Sequence, residues 1–243
     1  MANISETSFG NRLARAQELL DFIKTLGNYT PPNLALGQEK FSALLRQVDE
    51  TNKKVVSVAD LLNQARATRL TLYYGKEGLI KRCAMVRDFV GALPGGKTSS
   101  AYLSIQKENQ KMNSYKKPTK KEESSGDSET PAKRIVSTAE AGFGALLQST
   151  KHILEIIKNL PDYAPSNARI TLEGLGKLIS DVEAANQLVN TNLYAYSDAV
   201  AKRLELYEGE QGLRLCFQGI KAFIAGNYGK TSAEFKAVSK IKY

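Results

Sequence analysis

Apolar side chains recur along the chain at alternating spacings of three and four, the period of a helix with one buried face. Phe9, Leu13, Ala16, Leu20 and Ile23 form the first such stripe, and Gly27 and Pro31 close it. Asn33 stands where a cap for the following segment is needed. A second stripe runs through Phe41, Leu44, Val48, Asn52 and Val55. A third runs through Val58, Leu62, Ala65, Arg69 and Leu72, with Gly75 after it. A fourth takes in Leu79, Val86, Phe89 and Leu93 and stops at Pro94-Gly95-Gly96, and a tail helix is predicted from Ser99 to about Lys111. No stretch alternates with a period of two for long enough to predict a strand. The pattern predicts an all-α chain.

The same pattern then recurs. Residues 9–93 align without a gap to residues 143–227, an offset of 134, with 25 identities over 85 positions. Phe9-Gly10 meets Phe143-Gly144, Tyr29-Thr30-Pro31-Pro32-Asn33 meets Tyr163-Ala164-Pro165-Ser166-Asn167, and Arg69-Leu70-Thr71-Leu72-Tyr73-Tyr74-Gly75 meets Arg203-Leu204-Glu205-Leu206-Tyr207-Glu208-Gly209. Solenoid repeats span roughly 20–50 residues. A unit of this length is domain-sized, so the expectation is a tandem duplication of an approximately four-helix bundle: copy 1 over 6–106 and copy 2 over 138–243. Residues 107–137 between them are almost devoid of apolar side chains. Ordering them would cost backbone entropy with no burial to offset it, which predicts a disordered linker.

The endings of the copies resemble a pattern of bacterial all-helical proteins of unknown function. The residues concerned are Arg203-Leu204-x-Leu206-Tyr207-x-Gly209, Gly212-Leu213 and Ser232-x-x-Phe235-Lys236-x-Val238-x-x-Ile241-Lys242, with a looser counterpart in copy 1 through Tyr102 and Ile105. That resemblance covers roughly the last half of each copy. It implies an all-helical bacterial protein and no particular activity.

Composition narrows the function classes. The chain has 243 residues, 42% of them hydrophobic, with two Cys, one His and no Trp. Two Cys cannot staple a secreted scaffold, and one His with two distant Cys does not suit a typical structural zinc site. No apolar run reaches the roughly 18 residues of a membrane span, and the start lacks the apolar core of a signal peptide. The expectation is a cytoplasmic protein with no metal and no cofactor. The net charge of +9 divides as +5 over residues 1–106, +3 over 107–134 and +1 over 135–243, so a nucleic-acid partner, if there is one, would be met by copy 1 and the linker.

Three constellations are candidates for chemistry. Gly91-Ala92-Leu93-Pro94-Gly95-Gly96-Lys97-Thr98 fits the phosphate-binding pattern G-x-x-x-x-G-K-[ST], which would assign Gly91, Gly96, Lys97 and Thr98 to a nucleotide. That motif needs a strand before it, whereas residues 79–90 have helical periodicity. Copy 2 keeps only Gly229-Lys230-Thr231-Ser232, as a helix stop and cap would require. Asn52 and Arg69, with Asn186 and Arg203 as counterparts, sit on apolar stripes, and Glu39 and Glu173 also match. They read as a polar network inside each copy that fixes helix register, with a ligand pocket as the competing reading. His152 aligns with Glu18, so the copies share no catalytic His, and Cys83 and Cys216 are not equivalent positions. The leading expectation is a non-enzymatic scaffold or protein-interaction module whose copies can pack as a pseudo-dimer. The alternatives are salt-sensitive nucleic-acid binding and, disfavoured, a P-loop.

Overall fold

The computed structural model of the protein describes residues 6–114 and 138–243. Eight α-helices account for most of them, and no strand occurs among the described residues. In chain order they are α1 (Glu6–Lys24), α2 (Gln38–Tyr74), α3 (Leu79–Val90), α4 (Ser100–Ser114), α5 (Thr138–Lys158), α6 (Leu172–Glu208), α7 (Leu213–Tyr228) and α8 (Ala233–Lys240). Among the described residues no helix is long and apolar enough to cross a membrane.

The connections follow from local chemistry. After α1, the Asn33 side chain accepts from the Ala35 N–H and starts a 3-10 turn, Leu34–Leu36, so the cap serves that turn and α2 begins only at Gln38. Tyr29 ties the loop down by donating its hydroxyl proton to the Leu36 carbonyl at 2.8 Å. Asn167 and Tyr163 repeat both contacts, on Arg169 and Ile170. Gly75 ends α2 with its N–H on the Thr71 carbonyl, and a Cβ there would come within 2.4 Å of that oxygen. Gly209 ends α6 under the same constraint from Glu205.

The second and third stripes, expected as separate helices, are one helix. Nothing between Val55 and Val58 breaks the hydrogen-bond ladder, since Val56 and Ser57 carry neither a proline ring nor glycine's freedom. α2 therefore runs for 37 residues, as does α6. At 1.5 Å per residue each is about 55 Å long, too long to lie within one bundle of about 100 residues, whose radius of gyration is about 13 Å.

The compact units divide the chain at other places than the expected boundaries. The compact units are not 6–106 and 138–243. Unit 1 comprises residues up to Leu62 together with Asn192–Tyr243, and unit 2 comprises Asn63–Thr191. Each unit takes one part of α2 and one part of α6. The core of unit 1 sets Phe9, Leu19, Leu20, Ile23, Phe41 and Val48 against Tyr207, Leu213, Phe217, Ile220 and Ile224. The core of unit 2 sets Tyr73, Leu79, Val86 and Ile105 against Phe143, Leu146, Ile153 and Ile157. Within unit 1 the parts of α2 and α6 are antiparallel, since Asn52 meets Tyr207 while Leu61 meets Asn192. Of the expected linker 107–137, residues 107–114 are helical and bury Glu108, Asn109 and Met112 in unit 2. Residues 115–137 lie outside the described residues.

Candidate functional site

The residues singled out on the apolar stripes assemble into two clusters, one per unit. In unit 1, Tyr207 on α6 donates its hydroxyl proton to the Phe9 carbonyl of α1 at 2.8 Å and accepts from Asn52 Nδ2 of α2 at 2.9 Å. The Tyr207 ring meets the Phe9 ring edge-on at 4.8 Å, and the guanidinium of Arg203 lies over Phe9 at 4.1 Å. In unit 2, Tyr73 on α2 donates to the Phe143 carbonyl of α5 at 3.0 Å and accepts from Asn186 Nδ2 of α6 at 2.9 Å, while Arg69 lies over Phe143 at 4.1 Å. Both tyrosines are fully buried, and Arg69 and Arg203 are 7% and 3% exposed. Burial raises the Tyr73 phenol above its ordinary value, against the lowering pull of Asn186 and Arg69. Comparisons with family models, with curated proteins and with solved structures found no match to this chain.

These contacts correct the expected partnerships. Asn52 and Arg69 do not share a network. Asn52 joins Arg203, and Asn186 joins Arg69, because the parts of one long helix belong to different units. Glu39 and Glu173 are exposed in the first turns of α2 and α6 and take no part. Their charge there favours the positive helix N-terminus. Each cluster joins three helices through buried Tyr and Arg side chains and a half-buried Asn, an arrangement suited to holding helix register.

The Gly91–Thr98 loop follows helix α3, not a strand. Gly95 and Gly96 adopt positive φ, of 86° and 57°, and the Thr98 hydroxyl donates to the Gly95 carbonyl at 2.8 Å. Ser99 accepts from the Tyr102 N–H at 3.2 Å, and Ser232 accepts from Phe235 at 3.0 Å, so the shared Gly-Lys-Thr-Ser is a helix stop with a serine cap. Lys97 points to solvent. A small cavity beside this loop, about 140 Å³ and lined by Val90, Leu93, Pro94, Ser99 and Asp162 among others, is below the roughly 300 Å³ where ligand pockets begin.

Two polar clusters escaped sequence reasoning. In unit 2 the Glu108 carboxylate, 6% exposed, accepts from Lys111 Nζ at 2.7 Å and sits 3.2 Å from His152 Nδ1 on α5. Burial pushes its pKa up, but hydrogen bonds from Lys111, Ser149 and His152 and the charge of Lys111 outweigh that and hold it below the ordinary value. Neighbouring Asn109 donates to the Cys83 and Ile105 carbonyls. The predicted tail helix to about Lys111 covered both residues, but assigning 107–137 to a linker left their burial out of account. In unit 1, Glu208 binds Arg12 and Arg214, each at 2.7 Å, and Arg12 also approaches the Tyr243 ring at 5.1 Å. Among the described residues no group of three His, Cys, Asp or Glu side chains is placed to hold a metal ion. Cys83 and Cys216 are buried free thiols; burial pushes Cys83 up to about 12 and raises Cys216 as well.

Proposed function

We propose that the chain is a non-enzymatic, cytoplasmic helical scaffold or protein-interaction module, built by duplication of a segment of about four helices. One observation carries this reading. The polar residue types that recur at an offset of 134 make the same helix-to-helix contacts in both units, so the repeated chemistry is taken up in holding the frame. A duplicated catalytic pocket would instead aim those groups at an opening. The surface for a partner lies along the long helices, where Val56, Leu61 and Tyr194 of unit 1 are 56%, 48% and 65% exposed. Exposed apolar side chains of this size are where a protein partner gains most from excluding water.

The test uses the immobilised full chain against an extract of its native organism, beside Leu61→Asp and Tyr194→Asp. Both positions are exposed, so the variants should melt with the parent. A protein retained by the parent and lost in both variants is the expected result. Retention that is insensitive to both substitutions, or that disappears on nuclease treatment, overturns the reading.

A further inference from the structure

We propose that segments 6–114 and 138–243 are obligate and mutually specific partners, so that the chain is a non-covalent heterodimer whose subunits happen to be joined. Neither segment can build a unit alone. In unit 1, Phe9 and Ile23 of the first segment close on Tyr207 and Phe217 of the second, and in unit 2, Tyr73 of the first closes on Phe143 of the second. The first segment cannot fold back on itself, because α2 contains no glycine or proline between Gln38 and Tyr74 at which to bend. The complementary segment must supply the other side of both cores.

The Asn–Tyr–Phe–Arg clusters do not choose the partner, since both segments carry the same residues at those positions. The ion cluster does. Arg12 meets Glu208, which also holds Arg214. An offset of 134 places Leu146, Tyr74 and Ile80 at the equivalent positions, and unit 2 packs them as apolar neighbours. Pairing two copies of the first segment would set Arg12 against Tyr74 and Ile80. Pairing two copies of the second would set Leu146 against Glu208 and Arg214. The first mismatch strips Arg12 of its carboxylate and the second leaves Glu208 with Arg214 alone, which disfavours like-with-like assembly. The mutual dependence holds whatever the scaffold carries, so its failure is separable from failure of the functional reading.

The experiment places one specific protease site between residues 115 and 137, cuts the purified folded chain, and follows it by gel filtration, native mass spectrometry and circular dichroism at several micromolar concentrations. One species containing each fragment once is expected, with the helical signal unchanged and a melting midpoint that falls on dilution. Fragments that elute apart while the helical signal persists overturn the proposal, as do like-with-like pairs in comparable abundance. In the cut chain Arg12→Glu, which brings like charges together at Glu208, should raise the dissociation constant about tenfold or more. Arg15→Glu, on an exposed side chain paired with Glu18 of its own helix, should leave it unchanged. Equal affinity for the two variants overturns the specificity.

Discussion

Tyr207 uses both capacities of its hydroxyl inside the protein, donating to the Phe9 carbonyl and accepting from Asn52. Removing that oxygen takes a partner from a buried carbonyl and from a half-buried amide, a loss of about 1–3 kcal/mol. Tyr207→Phe should therefore lower the urea midpoint, and Asn52→Ala should add less in its presence than alone. A double-mutant cycle should return a coupling of about 0.5–3 kcal/mol, and Tyr73→Phe with Asn186→Ala should return a similar one. Strict additivity in both cycles would show that the tyrosines act only through their rings. Sequence patterning singled out Asn52, Arg69, Asn186 and Arg203, because each interrupts an apolar stripe at the same place in both copies, but not the Tyr73 and Tyr207 hydroxyls or the Phe9 and Phe143 carbonyls that they meet. It mispaired them because the copies are degenerate there: Asn52 faces a Tyr at that helical position whichever copy supplies it. The informative positions were the dissimilar ones. Arg12 has an acidic neighbour only if Glu208 comes from the other copy.

Helix α4 shows how composition can mislead. Residues 107–114 read Lys-Glu-Asn-Gln-Lys-Met-Asn-Ser, polar enough to pass for the start of a tether, yet Glu108, Asn109 and Met112 lie on one face at helical spacing and are buried. The face is legible only once α5 is known to supply His152 and Ser149 for the Glu108 carboxylate. The same local reading split α2 into two stripes at Val56-Ser57, although neither residue stops a helix. Because the Glu108 pKa is lowered in the folded protein, its stabilising contribution is fully present above the ordinary carboxylate range. It is lost as pH falls through the lower folded value. Glu108→Gln should lower the melting midpoint at pH 7 by the equivalent of about 1 kcal/mol, since Lys111 and His152 are half exposed to solvent. The difference between parent and variant should shrink as pH is taken below about 4.5. A gap that stays constant down to pH 3 would remove the ionised carboxylate from the packing of α4 on α5.

The whole chain distributes its charge differently from its sequence copies, and this bears on nucleic acid as a partner. Copy 1 holds 14 basic residues, and seven belong to each unit. The units themselves carry 15 basic and 12 acidic side chains in unit 1, and 19 and 13 in unit 2. Many of the cations are engaged locally. Arg12 binds Glu208, Lys53 binds Asp49, Arg87 binds Asp88, and Arg82 donates to the carbonyls of Glu77, Arg169 and Gly174. Tracking a duplex needs a run of cations free to displace counterions, and each phosphate neutralised adds about 0.9 to the slope of log affinity against log salt. Arg12, Lys53, Arg82 and Arg87 could join such a run only by giving up these contacts. Fluorescence anisotropy of a labelled duplex of about 25 base pairs should accordingly show no binding at low micromolar protein in about 150 mM salt, and only a shallow salt slope at about 50 mM. A slope steeper than about −4 would require about five or more free cations, and would move the function from protein scaffold to nucleic-acid binding.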